Sequence, residues 1–335
     1  FNIMKELENL KDKKKGLIVH HWDTDGLASA ALILNYLRQL NPQLDVNLEI
    51  PTIGNYFLTG AEIQRIKDGQ YDFVVTADIN FPPSTVEKIK EVCPEVLIFD
   101  HHHQEPIEGV FYYNKKYPGC SYLIDEYLGQ APTLLGVLGM VGDKEESIKE
   151  DTEFFSHIEK VIENEEITFE DMLMMRRYLD SLYIVEDYEG IETITKLLAD
   201  DPKEIIRDVN LESNVQRIDQ EVTHYLEADP KDLGDNIYEY QLDSEYNIIS
   251  HTTRGLSRKF DDKIVVVFQP KKDIVNVYVR RTDLDVDLEK IVDFAREKNY
   301  SSGGKHEVTG IIVPRNDWEA FHEELINKLK EIQNA

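Results

Sequence analysis

The chain has 335 residues with 65 acidic against 37 basic side chains, a formal charge of −28, and at ~150 residues per domain this length suggests about two domains. With 41% hydrophobic and 30% charged residues and 12 prolines, it has an ordinary globular composition, which excludes collagen, coiled coil and global disorder. The carboxylate excess argues against general adhesion to nucleic acid or anionic membranes, so contact with a polyanion must be local or bridged by cations. Cys93 and Cys120 are the only cysteines, too few to staple a chain of this size, and a reduced, cytoplasmic chain is expected. No apolar run approaches the ~20 residues of a membrane helix. The short run 16–19 is no secretory h-region, so no membrane partner is expected; Phe1–Ile3 ahead of Met4 are given no weight.

In chain order, Gly16-Leu17-Ile18-Val19 reads as a buried strand, and 27–40, rich in Ala and Leu, as a helix stopped by Asn41-Pro42. The alternating run 45–50 reads as an edge strand ended by Pro51, and 73–75 and 96–99 as continuous apolar strands. Pro82-Pro83-Ser84-Thr85 opens a helix through about Val92. This alternation predicts a parallel α/β sheet for the first 145 residues. From 148 to 226 the period becomes helical, and Met172, Met174 and Met175 are expected in core packing. Strands return from about 236, with 264–268 and 274–279 flanking Pro270-Lys271-Lys272-Asp273 as a hairpin. A helix over 288–298, a Gly-containing loop over 301–305, a strand over 308–313 and a helix over 318–332 complete the chain. The expected class is thus α/β: a parallel-sheet domain over 1–147, a helical connector over 148–235, and a smaller α/β domain over 236–335. From His251 to Gly310 there are 12 basic and 10 acidic residues, a local net of +2 against −30 for the remainder.

Five of the ten histidines fall in two clusters, His20-His21-Trp22-Asp23-Thr24-Asp25-Gly26 and Asp100-His101-His102-His103, each directly after an apolar strand. A third strand is followed by Thr76-Ala77-Asp78. Asp-x-Asp-Gly alone is an ordinary turn or helix cap, as is a lone Asp after a strand. Three such groups after separate strands, however, converge at the carboxyl edge where open α/β sheets bind ligands. Imidazole with carboxylate suits Mn²⁺, Zn²⁺ or Fe²⁺, and several packed carboxylates call for a pair of divalent cations. His20 is expected to face the core, since strand neighbours point to opposite faces.

His21-x-Asp23-x-Asp25-Gly26, Asp78 and Asp100-His101-His102 resemble motifs I, II and III of the DHH phosphoesterase superfamily. Asp143, in Gly139-Met-Val-Gly-Asp143 after an apolar helix, resembles the motif IV aspartate. Gly303-Gly304-Lys305-His306, ending in Thr309-Gly310, is similar to the signature of the DHHA1 domain that accompanies the catalytic domain of RecJ-like exonucleases and small-oligonucleotide phosphodiesterases, with Lys305 where a glycine is usual. Val277-Tyr278-Val279-Arg280 resembles the strand presenting that family's substrate-binding arginine. The resemblance implies that Asp23, Asp25, Asp78, His101 and Asp143, with His21, hold two divalent ions ~4 Å apart with Asp78 bridging. Mn²⁺ is the ion it favours, with Mg²⁺ or Co²⁺ as alternatives. It leaves His102 for the phosphoryl oxygen or leaving group. It gives His306, Arg280 and the amides of Gly303 and Gly304 to the substrate phosphate, across an interdomain cleft closed by motion of the connector.

The expected activity is a RecJ-like phosphodiesterase acting on single-stranded RNA or DNA or short oligonucleotides. Arg254, Arg258, Lys259, Lys271, Lys272, Arg280 and Arg281 would line a backbone-tracking groove. An alternative is a small-nucleotide phosphodiesterase acting on a cyclic dinucleotide or bisphosphorylated nucleoside, for which the acidity is less of an obstacle. A non-catalytic replication scaffold is a third reading, opposed by every ligand position being filled.

Overall fold

In the computed structural model, which describes residues 5–335 apart from 105, 131 and 284, a short α1 (Lys5–Glu8) leads into β1 (Lys15–His20) and α2 (Thr24–Leu40). Phe1–Ile3 lie outside the described residues. There follow β2 (Asp45–Glu49), α3 (Gly60–Gly69), β3 (Phe73–Ala77), α4 (Pro83–Val92), β4 (Val96–Asp100) and β5 (Phe111–Asn114). These five strands form one sheet in the order β2-β1-β3-β4-β5, every pair parallel. Parallel strands covered on both faces read as unbroken apolar runs, and β3 and β4 are buried at every position. Because β1, β3 and β4 are neighbours, their carboxyl ends open side by side.

α5 (Cys120–Tyr127), α6 (Leu134–Lys144), α7 (Thr152–Glu165), α8 (Phe169–Ile184) and α9 (Tyr188–Asp200) follow. The chain divides into two compact units, Phe1–Val215 and Gln216–Ala335, a division that falls within α10 (Val209–Glu227). The helices of the expected connector therefore belong partly to the first unit: Ile158, Met172, Met175, Leu179, Ile191 and Leu198 join the same hydrophobic cluster as the sheet. Met172 and Met175 have no exposed surface, and full burial of such a side chain stabilises by about 1.5–3 kcal/mol each. Cys93 and Cys120 are free and buried. Among the described residues no helix is long and apolar enough to cross a membrane.

The second unit carries β6 (Lys231–Asp232), β7 (Ile237–Gln241), α11 (Ile249–Lys259), β8 (Ile264–Pro270), β9 (Ile274–Arg280), α12 (Glu289–Glu297), β10 (Ser301–Lys305), β11 (Val308–Pro314) and α13 (Trp318–Gln333). Its six strands run in the order β10-β11-β9-β8-β7-β6, antiparallel except for the β7–β8 pair. Val277, Val279, Leu288, Phe321 and Leu325 lie in its core. One expectation needs correction here. Residues 301–305 are an edge strand rather than a loop, because Gly303 and Gly304 pair with Gly310 and Thr309. The backbone supplies this ladder without apolar side chains, so no hydrophobic alternation announces it. Residues 249–259 form the crossover helix that the parallel β7–β8 pair requires.

Candidate metal centre

Motif residues reach one point because each follows a strand or opens a helix there, except Asp143, which lies at the end of one. Asp23 caps α2, its Oδ1 accepting from the Gly26 amide at 3.0 Å. Gly26 is required by close approach: a Cβ there would lie 2.1 Å from the His21 carbonyl oxygen. Both oxygens of Asp25 accept amides from the start of α5, Cys120 at 2.7 Å and Ser121 at 2.9 Å. Asp78 follows β3 with φ of 58°, a left-handed conformation that Asp tolerates better than most residues and that is often retained at functional positions. Asp143 is not beyond the apolar helix, as expected, but in its last turn.

His21 Nδ1 lies 2.8 Å from Asp23 Oδ1 and 3.9 Å from Asp78 Oδ2. His101 Nε2 faces Asp78 Oδ1 at 3.2 Å, Asp143 Oδ2 at 3.4 Å and Asp25 Oδ2 at 3.5 Å. His101 Nδ1 sits 2.8 Å from the Tyr117 carbonyl oxygen, which only accepts, so Nδ1 carries a proton and Nε2 is the ring nitrogen turned to the carboxylates. Nε2 and Asp78 Oδ1 are both buried without a hydrogen-bond partner. These ligand atoms stand at spacings close to the ~3.0–3.4 Å separating donors that share an ion at ~2.1 Å. The donors form overlapping groups, His21–Asp23–Asp78, Asp25–His101–Asp143 and Asp78–His101–His102, each within 4.8 Å. Imidazole and carboxylate oxygen fit a first-row divalent ion.

The electrostatics demand the same compensation. Burial, then the charges of Asp25 and Asp23, push Asp78 well above the usual carboxylate range. Asp143 is pushed to about 10 by burial and by Asp25, Asp23 and Asp180. Burial opposes ionisation of Asp23 too, but the His21 contact and the Gly26 amide outweigh it and hold the group at about 2. Cys120, adjacent to Asp25, is no thiolate ligand: burial and the neighbouring carboxylates raise it well above its ordinary value.

A model of the DHH family, N-terminal domain, matches residues 15–149, which contain this whole cluster. Residues 15–149 are a DHH-family domain. A curated relative, the single-stranded-DNA-specific exonuclease RecJ of Bacillus subtilis (strain 168), is 26% identical over 125 residues, 36% of this chain and 16% of that protein. Among solved structures, a DHH domain described as a member of a family of ribosomal proteins superposes with a TM-score of 0.67 at 14% identity, covering 99% of this chain and 91% of that one. Exonuclease RecJ bound to manganese gives 0.65 at 16%, covering 97% and 93%. A pGpG-specific phosphodiesterase of Vibrio cholerae gives 0.51 at 13%, covering 95% and 100%. Likeness at these identities establishes the shared DHH fold.

The remaining residues of the DHH motifs divide by role. Asp100 accepts from the His101 amide at 2.9 Å and contacts His102 Nδ1 at 2.7 Å. It thereby orients His102, whose side chain is 44% exposed. Burial disfavours the imidazolium, but the Asp100 contact and the Asp25 and Asp23 charges outweigh it and raise His102. His103 is exposed. His20 is buried with Nδ1 against the His21 carbonyl oxygen at 2.7 Å, and burial lowers it to about 4, so it stays neutral.

Sequence reasoning missed a brace on α8. Asp180 Oδ1 accepts from the Thr24 amide at 2.9 Å and Thr24 Oγ1 at 2.7 Å. Arg176 donates from Nε to the Gly142 carbonyl oxygen at 3.0 Å and pairs through Nη2 with Asp180 Oδ2 at 3.3 Å. One ion pair thus ties the residue between Asp23 and Asp25 to the residue before Asp143. The only signal for it in the sequence was a charged i,i+4 pair on an otherwise apolar helix face.

In the second unit Arg280, Arg254 and Arg258 lie near enough for their charges to interact. Burial, then Arg254, lower Arg280, and Arg258 adds to this while Glu307 opposes it. His306 sits at the β10–β11 turn, its Nδ1 3.4 Å from Asp287 Oδ1. A Cβ on Gly304 would meet the Val308 carbonyl oxygen at 2.1 Å, whereas Gly303 has open space. The expected continuous groove breaks up. Arg281 is buried and paired with Asp283 and Asp285, because alternation along β9 turns it inward when Arg280 turns out. Lys259 Nζ donates to the Leu226 carbonyl oxygen at 2.6 Å. Lys271 and Lys272 occupy the opposite end of the β8–β9 hairpin, ~20 Å from Arg280 at ~3.3 Å per residue.

Proposed function

We propose that the chain is a metal-dependent phosphodiesterase that hydrolyses short single-stranded nucleic acid, RNA or DNA, with Mn²⁺ as the favoured ion and Mg²⁺ or Co²⁺ as alternatives. The observation that carries this reading is the buried, unpartnered Nε2 of His101, enclosed by the carboxylates of Asp25, Asp78 and Asp143. Two ions held by His21, Asp23 and Asp78 and by Asp25, His101 and Asp143, with Asp78 shared, would supply Lewis acidity at phosphorus and lower the pKa of water toward neutrality. The protein's own part is positional. The α5 amides fix Asp25, the Tyr117 carbonyl fixes the His101 tautomer, and the α8 brace holds the turns bearing Asp23, Asp25 and Asp143. His102, whose imidazolium is favoured by its Asp100 contact against the opposing effect of burial, donates a hydrogen bond to a phosphoryl oxygen or a proton to the leaving group. In the proposed DHHA1 domain Arg280 and His306, with the backbone of Gly303 and Gly304, bind a substrate phosphate; Arg suits bidentate contact.

A second reading, hydrolysis of dinucleotides or other small nucleotides, is favoured by the contraction of the cationic patch to Arg254, Arg258 and Arg280. Length dependence separates the two. Steady-state kcat/KM on labelled dimer, tetramer, octamer and dodecamer RNA and DNA, with cyclic dinucleotides alongside, should rise with length for a strand-tracking enzyme. Affinity would then fall with log salt at a slope of about −0.7 per phosphate contact. Equal values from dimer to dodecamer leave the dinucleotide reading standing. Asp78→Ala should abolish turnover and lower bound metal; retention of a tenth of the activity with Mn²⁺ present refutes the two-ion assignment.

A further inference from the structure

The loop between β2 and α3 presents two adjacent aromatic side chains to solvent, Tyr56 at 54% and Phe57 at 48% exposure. Exposed rings forgo burial energy and, when paired, mark surfaces that bind something. The loop holds them in a defined place. Glu62 accepts the Thr52 and Thr59 amides at 3.1 Å, the Ile53 amide donates to Tyr188 Oη at 3.0 Å, and Leu58 is buried. Tyr56 lies 5.8 Å from the His21 ring at an interplanar angle of 25° and 5.5 Å from Trp22, which is itself buried. An aromatic stack therefore starts in the core at Trp22, includes His21 of the candidate metal centre, and ends in solvent at Tyr56.

We propose that Tyr56, with Phe57 beside it, is a stacking platform for the nucleobase of the nucleotide whose phosphate is at the metal centre. This deepens the phosphodiesterase reading and rests on it. A ring in contact with His21 stands one sugar's reach from a phosphate held there, so a base is the planar group that substrate attachment would deliver to it. Every base has a π face, so the platform selects for the presence of a base rather than its identity. It separates nucleotides from sugar phosphates and inorganic phosphate esters.

The test compares a 5′-phosphorylated dinucleotide with the same molecule carrying an abasic sugar at one residue or the other, using Mn²⁺-loaded protein. In the wild type the kcat/KM ratio of base-bearing to abasic substrate should be about tenfold or more at one of the two positions. Tyr56→Ala should collapse that ratio toward one with bound metal unchanged, Phe57→Ala should reduce it, and Tyr56→Phe should retain it. Equal loss on both substrates, or no loss, overturns the proposal. A binding arm needs no turnover: adenosine 5′-monophosphate should bind the wild type about tenfold more tightly than ribose 5-phosphate, and Tyr56→Ala should erase the difference. If neither dinucleotide is hydrolysed, the phosphodiesterase reading fails, and the binding arm still decides the platform. Tyr56→Leu, which keeps apolar bulk without a π face, replaces Tyr56→Ala should that variant not fold.

Discussion

Replacing Arg176 by methionine removes the cation from the α8 brace while keeping most of its apolar volume. Three contacts disappear: Nε to the Gly142 carbonyl oxygen at 3.0 Å, Nη2 to Asp180 at 3.3 Å and Nη1 to Glu145 at 3.1 Å. The Glu145 side chain is 42% exposed, so that contact contributes at most ~1 kcal/mol. The other two are nearly closed to solvent, with side-chain exposures of 15% for Arg176 and 7% for Asp180. Removing one partner of a buried pair leaves an uncompensated charge and costs ~3–5 kcal/mol. Burial already lifts Asp180 to about 6 against the pull of Arg176, so the variant protonates it more readily, which places the loss toward the lower end of that range. For a unit of about 200 residues this lowers the melting temperature by roughly 6–15 °C. Thr24 and Gly142 lose their common tether, so Mn²⁺ affinity measured by titration calorimetry should weaken ~10–100-fold, as when supporting partners of metal ligands are removed. The double variant Arg176→Met with Asp180→Leu should recover much of the stability, since no buried charge is left alone, but not the affinity, because the Thr24 amide loses the Asp180 carboxylate that holds it. A loss below ~1 kcal/mol in urea unfolding together with unchanged Mn²⁺ affinity would refute the brace.

His306→Ala should leave metal content intact and lower kcat/KM by ~100-fold; lost metal, read by elemental analysis of the same preparation, would place His306 among the ligands instead. Gly304→Ala should disrupt β10–β11 pairing, because its Cβ would meet the Val308 carbonyl oxygen at 2.1 Å, while Gly303→Ala, with open space, should fold normally; amide exchange in 301–305 distinguishes them. Asp125, buried and raised to about 6, favours its protonated form in the folded state, so its contribution is full below pH ~4 and ~3 kcal/mol is lost as pH rises through 6. Asp125→Asn should flatten that pH dependence in urea titrations. Chelation should destabilise more at pH 8 than at pH 6, since Asp78 and Asp143 are raised and the cost of ionising them grows with pH; a metal-free melting temperature that climbs from pH 6 to pH 8 would contradict this.

Local chemistry made much of the DHH domain legible. Continuous apolar runs announced β1, β3 and β4, and the polar clusters directly after them had to meet at one edge because parallel neighbours share direction. The hairpin 264–280 was marked by its Pro-Lys-Lys-Asp turn. Period 2 along β9 separates an outward Arg280 from an inward Arg281, so only the first of the two expected groove cations faces out. The strand at 301–305 is invisible in the sequence because glycine carries no alternation, and pairing with 308–314 sets its register.

The amino-acid order by itself determined which side chains could hold a cation, since spacing after a strand sets their direction within a few ångströms. Only the tertiary structure decided how they are held. The Tyr117 carbonyl selects the His101 tautomer, the α5 amides orient Asp25, and an ion pair on α8 joins α2 to the end of α6. Each of these contacts links residues 16 to 156 positions apart. Local propensity carries no record of such pairs: they exist because burial brings polar groups together and leaves them no partner but one another.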